Sequence, residues 1–93
     1  MSPINTALCS FGMSGKLFHA PFIHLHEGFK LMGAWERSNK IIKNFYPDAV
    51  SYNNYEELLA DEKIELVIVN TPNITHYDFA KKALLANKHV VLE

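Results

Sequence analysis

Hydrophobic and polar positions divide the chain into short apolar runs separated by amphipathic stretches. The apolar runs predict five β-strands, at 4–9, 29–36, 49–52, 65–70 and 89–93. The fourth run, ELVIVN, is nearly continuous and rich in valine and isoleucine. A run of that kind is typical of a strand covered on both faces, so we expect it near the centre of a sheet.

Four stretches between these runs have apolar residues at helical spacing. Pro21 interrupts the first of them, and because proline is comfortable only in the first turn of a helix, we expect the helix to break or restart there. Asn53 with Glu56, and Thr75 with Asp78, have the spacing of a capping box. The predicted helical stretches are 15–27, 39–46, 53–61 and 75–88.

Strands and helices therefore alternate in the order βαβαβαβαβ. This alternation predicts an α/β fold of Rossmann type, with a parallel sheet and helices on both faces. The length of 93 residues allows one domain, over residues 1–93. Since the last apolar run ends the sequence, we expect the sheet to be incomplete and the chain to be the first part of a longer protein.

Composition narrows the class of protein. The hydrophobic fraction is 48% and the net charge is −1, with no basic block, which argues against a nucleic-acid or membrane surface. No apolar run approaches the roughly 20 residues of a membrane span, and the first ten residues lack the features of a signal peptide. Cys9 is the single cysteine, which indicates a buried thiol in a reducing compartment, and we expect the cytoplasm.

The stretch CSFGMSG connects the first predicted strand to the first helix. Gly12 and Gly15 match the second and third glycines of the dinucleotide-binding pattern G-x-G-x-x-G, and Ser10 replaces the first. Because the free N–H groups at a helix start favour an anion, the stretch predicts a pyrophosphate-binding loop. Its members are Ser10, Gly12, Met13, Ser14 and Gly15.

There are two alternatives to a dinucleotide-binding loop, and the sequence disfavours the first. An NTPase phosphate loop aligned on Gly15 and Lys16 would need glycine at Ser10 and a hydroxyl at Leu17, and leucine cannot bind magnesium. The second alternative is a simple turn that binds no phosphate.

An acidic residue at the end of the second strand is the second feature of a dinucleotide site. Glu36 stands there, and its carboxylate can accept hydrogen bonds from the adenosine ribose hydroxyls, which favours NAD(H). Arg37 and Ser38 follow, and an arginine there can pair with the 2′-phosphate of NADP(H). The two signals oppose each other, and Glu36 can also be an ordinary surface acid.

Three motifs in order, GMSGKLFHAP, TPNITH and NKHVVLE, resemble the N-terminal part of the glucose–fructose oxidoreductase/inositol dehydrogenase (Gfo/Idh/MocA) family. The run from Phe18 to Pro21 is similar to the subgroup that includes scyllo-inositol dehydrogenases. The resemblance implies an NAD(P)-dependent dehydrogenase acting on a sugar, inositol or related polyol. NADP use is common in that subgroup, which together with Arg37 and Ser38 favours NADP(H).

The same resemblance implies further cofactor-site residues. The family's Thr-Pro-Asn stretch corresponds to Thr71, Pro72 and Asn73, and its following histidine to His76. Glu93 corresponds to the start of the family's Glu-Lys-Pro, whose lysine lies near the hydride-transfer centre. No catalytic residue is therefore assigned within this chain.

The family places a larger α/β domain after the Rossmann domain, with most of the substrate site and the oligomer contacts. The resemblance thus implies a homo-oligomer, and a chain that is inactive by itself. Asn87 departs from the family, which usually has glycine there. Two further hypotheses are a freestanding nucleotide-binding or sensing module and a non-catalytic interaction domain.

The histidines give no metal signal. His19, His24 and His26 have no spacing that would place compact ligands on one helix face, and no metal site is predicted. His89, inside the last predicted strand, is expected to be a structural core residue.

Overall fold

The computed structural model describes residues 3–9, 20–36, 40–70 and 73–92, with only the backbone for residues 73–76. Within these ranges the strands and helices follow the predicted βαβαβαβαβ order. Their bounds are β1 (Ile4–Leu8), α1 (Ala20–Leu25), β2 (Phe29–Trp35), α2 (Ile42–Phe45), β3 (Val50–Tyr52), α3 (Tyr55–Ala60), β4 (Leu66–Val69), α4 (Asn73–Leu85) and β5 (His89–Leu92).

The five strands of the described ranges form one parallel sheet in the order β3-β2-β1-β4-β5. From β1 the chain first adds strands on one side, and with β4 it moves to the other side. The pair β1 and β4 is therefore the switch point of a doubly wound sheet. This topology confirms the predicted Rossmann-like α/β fold.

Helices cover both faces of the sheet. Ala7 and Cys9 belong to an apolar cluster with residues of α3 and α4, whereas Leu8 belongs to a second cluster with residues of α1 and α2. All three are fully buried. The alternation follows from the two-residue period of a strand, and β4 repeats it around Ile68. The continuous apolar pattern of the central strands is explained by burial on both sides.

Gly33 lets β3 approach β2 closely. A Cβ atom at this position would lie 2.2 Å from the carbonyl oxygen of Val50, which is backbone and cannot rotate away. The β1–β2 pairing shifts by one residue just before Gly33: Thr6 pairs with Leu31, but the next residue, Ala7, pairs with Gly33. The close approach aligns Ala34 with Ser51 in the β2–β3 register.

Asn87 has a left-handed backbone, with φ of 63°. Its N–H donates to the Leu84 carbonyl, and the N–H of Lys88 donates to the Ala83 carbonyl, which is the bonding pattern of a Schellman motif at the end of α4. Asparagine tolerates this conformation better than other residues with a Cβ atom. The departure from the glycine usual in the family is therefore structurally conservative.

The cap of α3 lies one residue later than predicted. Asn54, not Asn53, is the N-cap, and its side chain accepts from the Glu57 N–H at 2.8 Å. Glu57 in return accepts from the Asn53 N–H at 3.3 Å. The cap is shifted because two adjacent asparagines and two adjacent glutamates fit the same spacing. The Glu57 carboxylate binds the residue before the N-cap, so the second bond of a capping box, to the N–H of Asn54 itself, is replaced by this one.

Three other predictions need correction. Helix α4 begins at Asn73, so Thr75 lies inside its first turn and is not the N-cap. Helix α2 spans only Ile42–Phe45, a shorter element than the predicted 39–46. His89 is exposed and is not a core residue. Within the described sheet, β5 is an edge strand, and most of its side chains are exposed.

Candidate functional site

The carboxyl ends of β1, β2 and β4 lie at one edge of the sheet, because all three strands are parallel. The Cys9 N–H donates to the Ile68 carbonyl at 3.0 Å, which continues the β1–β4 pairing beyond Leu8. The connections 10–19, 37–39 and 71–72 follow these strand ends in the sequence. In open α/β sheets, ligands bind at this edge beside the switch point.

Most of the predicted cofactor-site residues lie in or next to those connections. Asn73 is the first residue of α4 and His76 lies in its first turn, and the structure describes their backbone only. The predicted residues outside the described ranges are Ser10, Gly12, Met13, Ser14, Gly15, Arg37, Ser38, Thr71, Pro72 and Glu93.

Glu36 is the predicted site residue whose side chain the structure describes. It follows β2 directly and is only 4% exposed, so it is not an ordinary surface acid. Its Oε2 accepts from the N–H groups of Ile41 at 2.8 Å and Ile42 at 3.1 Å. Its Oε1 accepts from the Ser51 hydroxyl at 2.8 Å and, more weakly, from Ile42 N–H at 3.3 Å. The carboxylate thus joins the end of β2 to α2 and β3.

Next to Glu36 in the chain, Trp35 packs with Tyr55 and Phe79 in an aromatic trio. The ring of Trp35 lies 5.6 Å from that of Tyr55 and 5.4 Å from that of Phe79, and the last two rings are 5.0 Å apart, edge to face. The Tyr55 hydroxyl donates to the Phe79 carbonyl at 2.8 Å. Burial is the main cause that raises the pKa of Tyr55 far above its usual value, with Cys9 contributing. The trio ties the end of β2 to α3 and α4.

Lys88 is a buried cation away from this edge. It is 8% exposed, and its Nζ donates to the carbonyls of Asp61 and Ile64, each at 2.8 Å. Both carbonyls belong to the turn between α3 and β4, so Lys88 connects that turn to the start of β5. It also lines a recess with Glu62, Glu65 and His89 at the amino end of the sheet, opposite the expected cofactor edge.

The described residues contain no group of three histidine, cysteine, aspartate or glutamate side chains that could hold a metal ion. The helices within those ranges are also too short or too polar to cross a membrane. His24 and His26 instead pack on aromatic rings, His24 against Tyr46 and His26 against Phe22 and Phe29.

Sequence reasoning missed the partners of Glu36. Two of the three donors are backbone N–H groups, which no residue type reveals, and Ser51 is one of several polar residues near β3. The available signal was the position of Glu36, directly after a strand and five residues before Ile41 at the start of a helix.

Comparison with known proteins agrees with this architecture. Residues 4–93 match the family described as "Oxidoreductase family, NAD-binding Rossmann fold" (GFO_IDH_MocA). An uncharacterized oxidoreductase of Schizosaccharomyces pombe is 40% identical over 100% of this chain and 27% of its own length. The scyllo-inositol 2-dehydrogenase (NADP(+)) IolW of Bacillus subtilis is 33% identical over 97% of this chain and 25% of its own.

A solved structure is also similar. The crystal structure of a putative oxidoreductase from Bacteroides fragilis superposes with a TM-score of 0.92 and 47% identity, over 97% of this chain and 28% of that one. The chain thus spans about a quarter of the length of these relatives.

The parallel sheet, its switch point and the family match define a domain of the oxidoreductase family with the NAD-binding Rossmann fold. The chain belongs to the Gfo/Idh/MocA family, as the three motifs predicted.

Proposed function

We propose that this chain is the cofactor-binding part of a dehydrogenase that transfers hydride between a nicotinamide dinucleotide and a sugar, inositol or related polyol. The observation that carries the proposal is the switch point between β1 and β4, with the glycine sequence after β1 and Thr-Pro-Asn after β4. The scyllo-inositol dehydrogenase name of the Bacillus subtilis relative supports the polyol class.

The proposed contacts follow from the chemistry of each segment. The N–H groups of Gly12, Met13, Ser14 and Gly15 bind the pyrophosphate, with Ser10 completing the turn. We assign the rest of the cofactor site, towards the nicotinamide, to Thr71, Pro72, Asn73, His76 and Glu93. When bound, the nicotinamide supplies the hydride acceptor or donor.

We also propose that NADP(H) is preferred over NAD(H). Arg37 and Ser38 follow β2, where the adenosine ribose lies in Rossmann domains, and a guanidinium pairs well with a phosphate. The Bacillus subtilis relative carries NADP(+) in its name, which supports this preference.

The rest of the enzyme lies outside this chain in our proposal. The family's proton-transferring lysine would follow Glu93, and a second α/β domain would hold the polyol and form a homo-oligomer in the cytoplasm. The 93 residues alone are then inactive, because hydride transfer needs an aligned substrate and a proton acceptor besides the cofactor.

Isothermal titration calorimetry of the purified chain with NADPH and NADH tests the cofactor part. We expect binding of both, with NADPH tighter. A parallel absorbance assay with NADP⁺, NAD⁺ and a panel of inositols and sugars tests the inactivity of the chain. Heat from neither dinucleotide at millimolar concentration would favour an interaction domain, and cofactor reduction by the chain would overturn the role given to the lysine.

A further inference from the structure

The carboxylate of Glu36 is buried and already accepts hydrogen bonds from three donors within the described part of the chain. An ionised carboxylate offers about four lone-pair directions on its two oxygens. Three donors use most of them at 2.8–3.3 Å: the Ile41 N–H, the Ile42 N–H, which is shared between the two oxygens, and the Ser51 hydroxyl. With only 4% of the residue exposed, a ribose hydroxyl has little access to the acceptor capacity that remains.

The hydrogen bonds to Ile41 and Ile42 join the two sides of the segment that carries Arg37 and Ser38. Glu36 itself is the residue before that segment, and Ile41 and Ile42 follow it at the start of α2. Ser51 anchors the carboxylate from β3, which lies close enough because Gly33 has no side chain. Glu36 therefore fixes the distance between the two ends of this connection.

We infer that Glu36 is a positioning residue for cofactor specificity: it joins the end of β2 to the start of α2, on either side of the segment that carries Arg37 and Ser38, and does not itself bind the ribose. The inference rests on the proposed dinucleotide function. It reverses the effect expected of an acid at the end of β2, which would accept from the ribose hydroxyls and repel a 2′-phosphate. Here three donors stabilise the negative charge, and the buried carboxylate anchors Ile41 and Ile42 at the start of α2.

This role makes a specific prediction about cofactor preference. Glu36→Gln keeps the size of the side chain, but its amide nitrogen cannot accept a hydrogen bond, so at least one donor loses its partner. The connection then loses its fixed ends, and a contact to the 2′-phosphate suffers more than the contacts shared by both cofactors. We expect NADPH binding to weaken about tenfold and NADH binding about threefold or less.

Ser51→Ala removes one donor, the hydroxyl, and should shift the preference in the same direction by a smaller factor. Tyr52→Phe is the matched control, because it removes a hydrogen bond from the neighbouring residue of β3 that does not involve Glu36. It should leave the ratio of the two dissociation constants unchanged. Amide exchange measured by NMR provides a readout without cofactor: Glu36→Gln should speed exchange at Ile41 and Ile42 about tenfold, and Tyr52→Phe should not.

Calorimetric titration of each variant with NADPH and NADH, together with amide exchange, decides the matter. A shift towards NADH with faster exchange at Ile41 and Ile42 supports the inference. A shift towards NADPH would mean that Glu36 binds the ribose directly, and an unchanged ratio would mean a purely structural role; either result overturns it. If the unmodified protein binds neither dinucleotide, the proposed function itself fails, which is distinguishable from failure of this inference alone.

Discussion

The Tyr52 hydroxyl donates a 2.7 Å hydrogen bond to Oδ2 of Asp61, joining the end of β3 to the residue that ends α3. This bond is the main cause that lowers the pKa of Asp61 from its ordinary value of 3.8. The N–H of Lys63 also donates to this carboxylate, at 3.0 Å. The charged form of Asp61 is therefore favoured in the folded protein.

We expect Asp61 to contribute to acid sensitivity. A carboxyl whose pKa is lower in the folded state stabilises the fold above its unfolded pKa, and this contribution is lost as the pH falls through the folded pKa. Asp61→Asn and Tyr52→Phe should each reduce the loss of stability between about pH 5 and pH 2. Since Asp61 is only partly buried, the effect should stay below about 1 kcal/mol. Thermal melts across this range test it, and parallel acid curves for all three proteins would contradict it.

Gly33→Ala should be strongly destabilising. The new methyl group would meet the carbonyl oxygen of Val50, so β3 must move away from β2, at a cost of about 1–3 kcal/mol. Gly28→Ala is the control, because its Cβ would meet only the ring of His26, at 3.1 Å. Urea unfolding measures both. A loss no larger for Gly33→Ala than for Gly28→Ala would show that the strands separate easily.

The left-handed residue at the end of α4 predicts an order of stabilities. Asn87→Gly should be neutral or slightly stabilising, whereas Asn87→Ala should cost about 1–2 kcal/mol, because alanine has no local hydrogen bond to compensate φ of 63°. Chemical denaturation of the three proteins gives the comparison. Equal stability of the alanine and glycine variants would contradict the assigned backbone conformation.

Lys88→Met should destabilise the fold by about 1–3 kcal/mol, because it leaves the buried Ile64 carbonyl without its ammonium donor and the Asp61 carbonyl with only the Ile64 N–H. Lys82→Met removes an exposed lysine of α4 and should change the free energy of unfolding by less than about 0.5 kcal/mol. Denaturant midpoints of the two variants provide the test. Similar small effects for both would mean that water replaces the Lys88 ammonium.

Gly12→Val tests the proposed pyrophosphate loop. The valine side chain should block close approach of the pyrophosphate to the backbone and reduce the affinity for NADPH and NADH alike. A melting temperature close to that of the unmodified protein would show that the fold is retained. Unchanged affinity in a folded variant would remove Gly12 from the binding loop.

The element order and the parallel sheet could be predicted because two patterns agree. Val67, Ile68 and Val69 form an apolar run that is satisfied only by burial on both faces, and the helical segments alternate with such runs. Boundaries were less accurate where neighbouring residues have the same chemistry. Asn53 and Asn54 are equally good caps in sequence, and tertiary placement of α3 selects the second.

In the candidate site, too, one feature could be predicted from the sequence and another could not. The position of Glu36 at the end of β2 followed from the spacing of the motif, but its hydrogen bonds did not, since Ile41 and Ile42 contribute backbone groups. His89 was expected in the core because its strand is apolar in sequence, but β5 is the edge strand of the described sheet and His89 is exposed. Both errors come from tertiary placement, which a local pattern does not encode.

The packing of Trp35 on Tyr55 and Phe79 also has an optical consequence. Trp35 is the single tryptophan of the chain and directly precedes Glu36, so its indole fluorescence arises from one place at the end of β2. Separation of α3 or α4 from the sheet would change the surroundings of this ring, and so would a change in the segment after it. One emission signal thus reports on the integrity of that sheet face and on events at the neighbouring edge, with no label added.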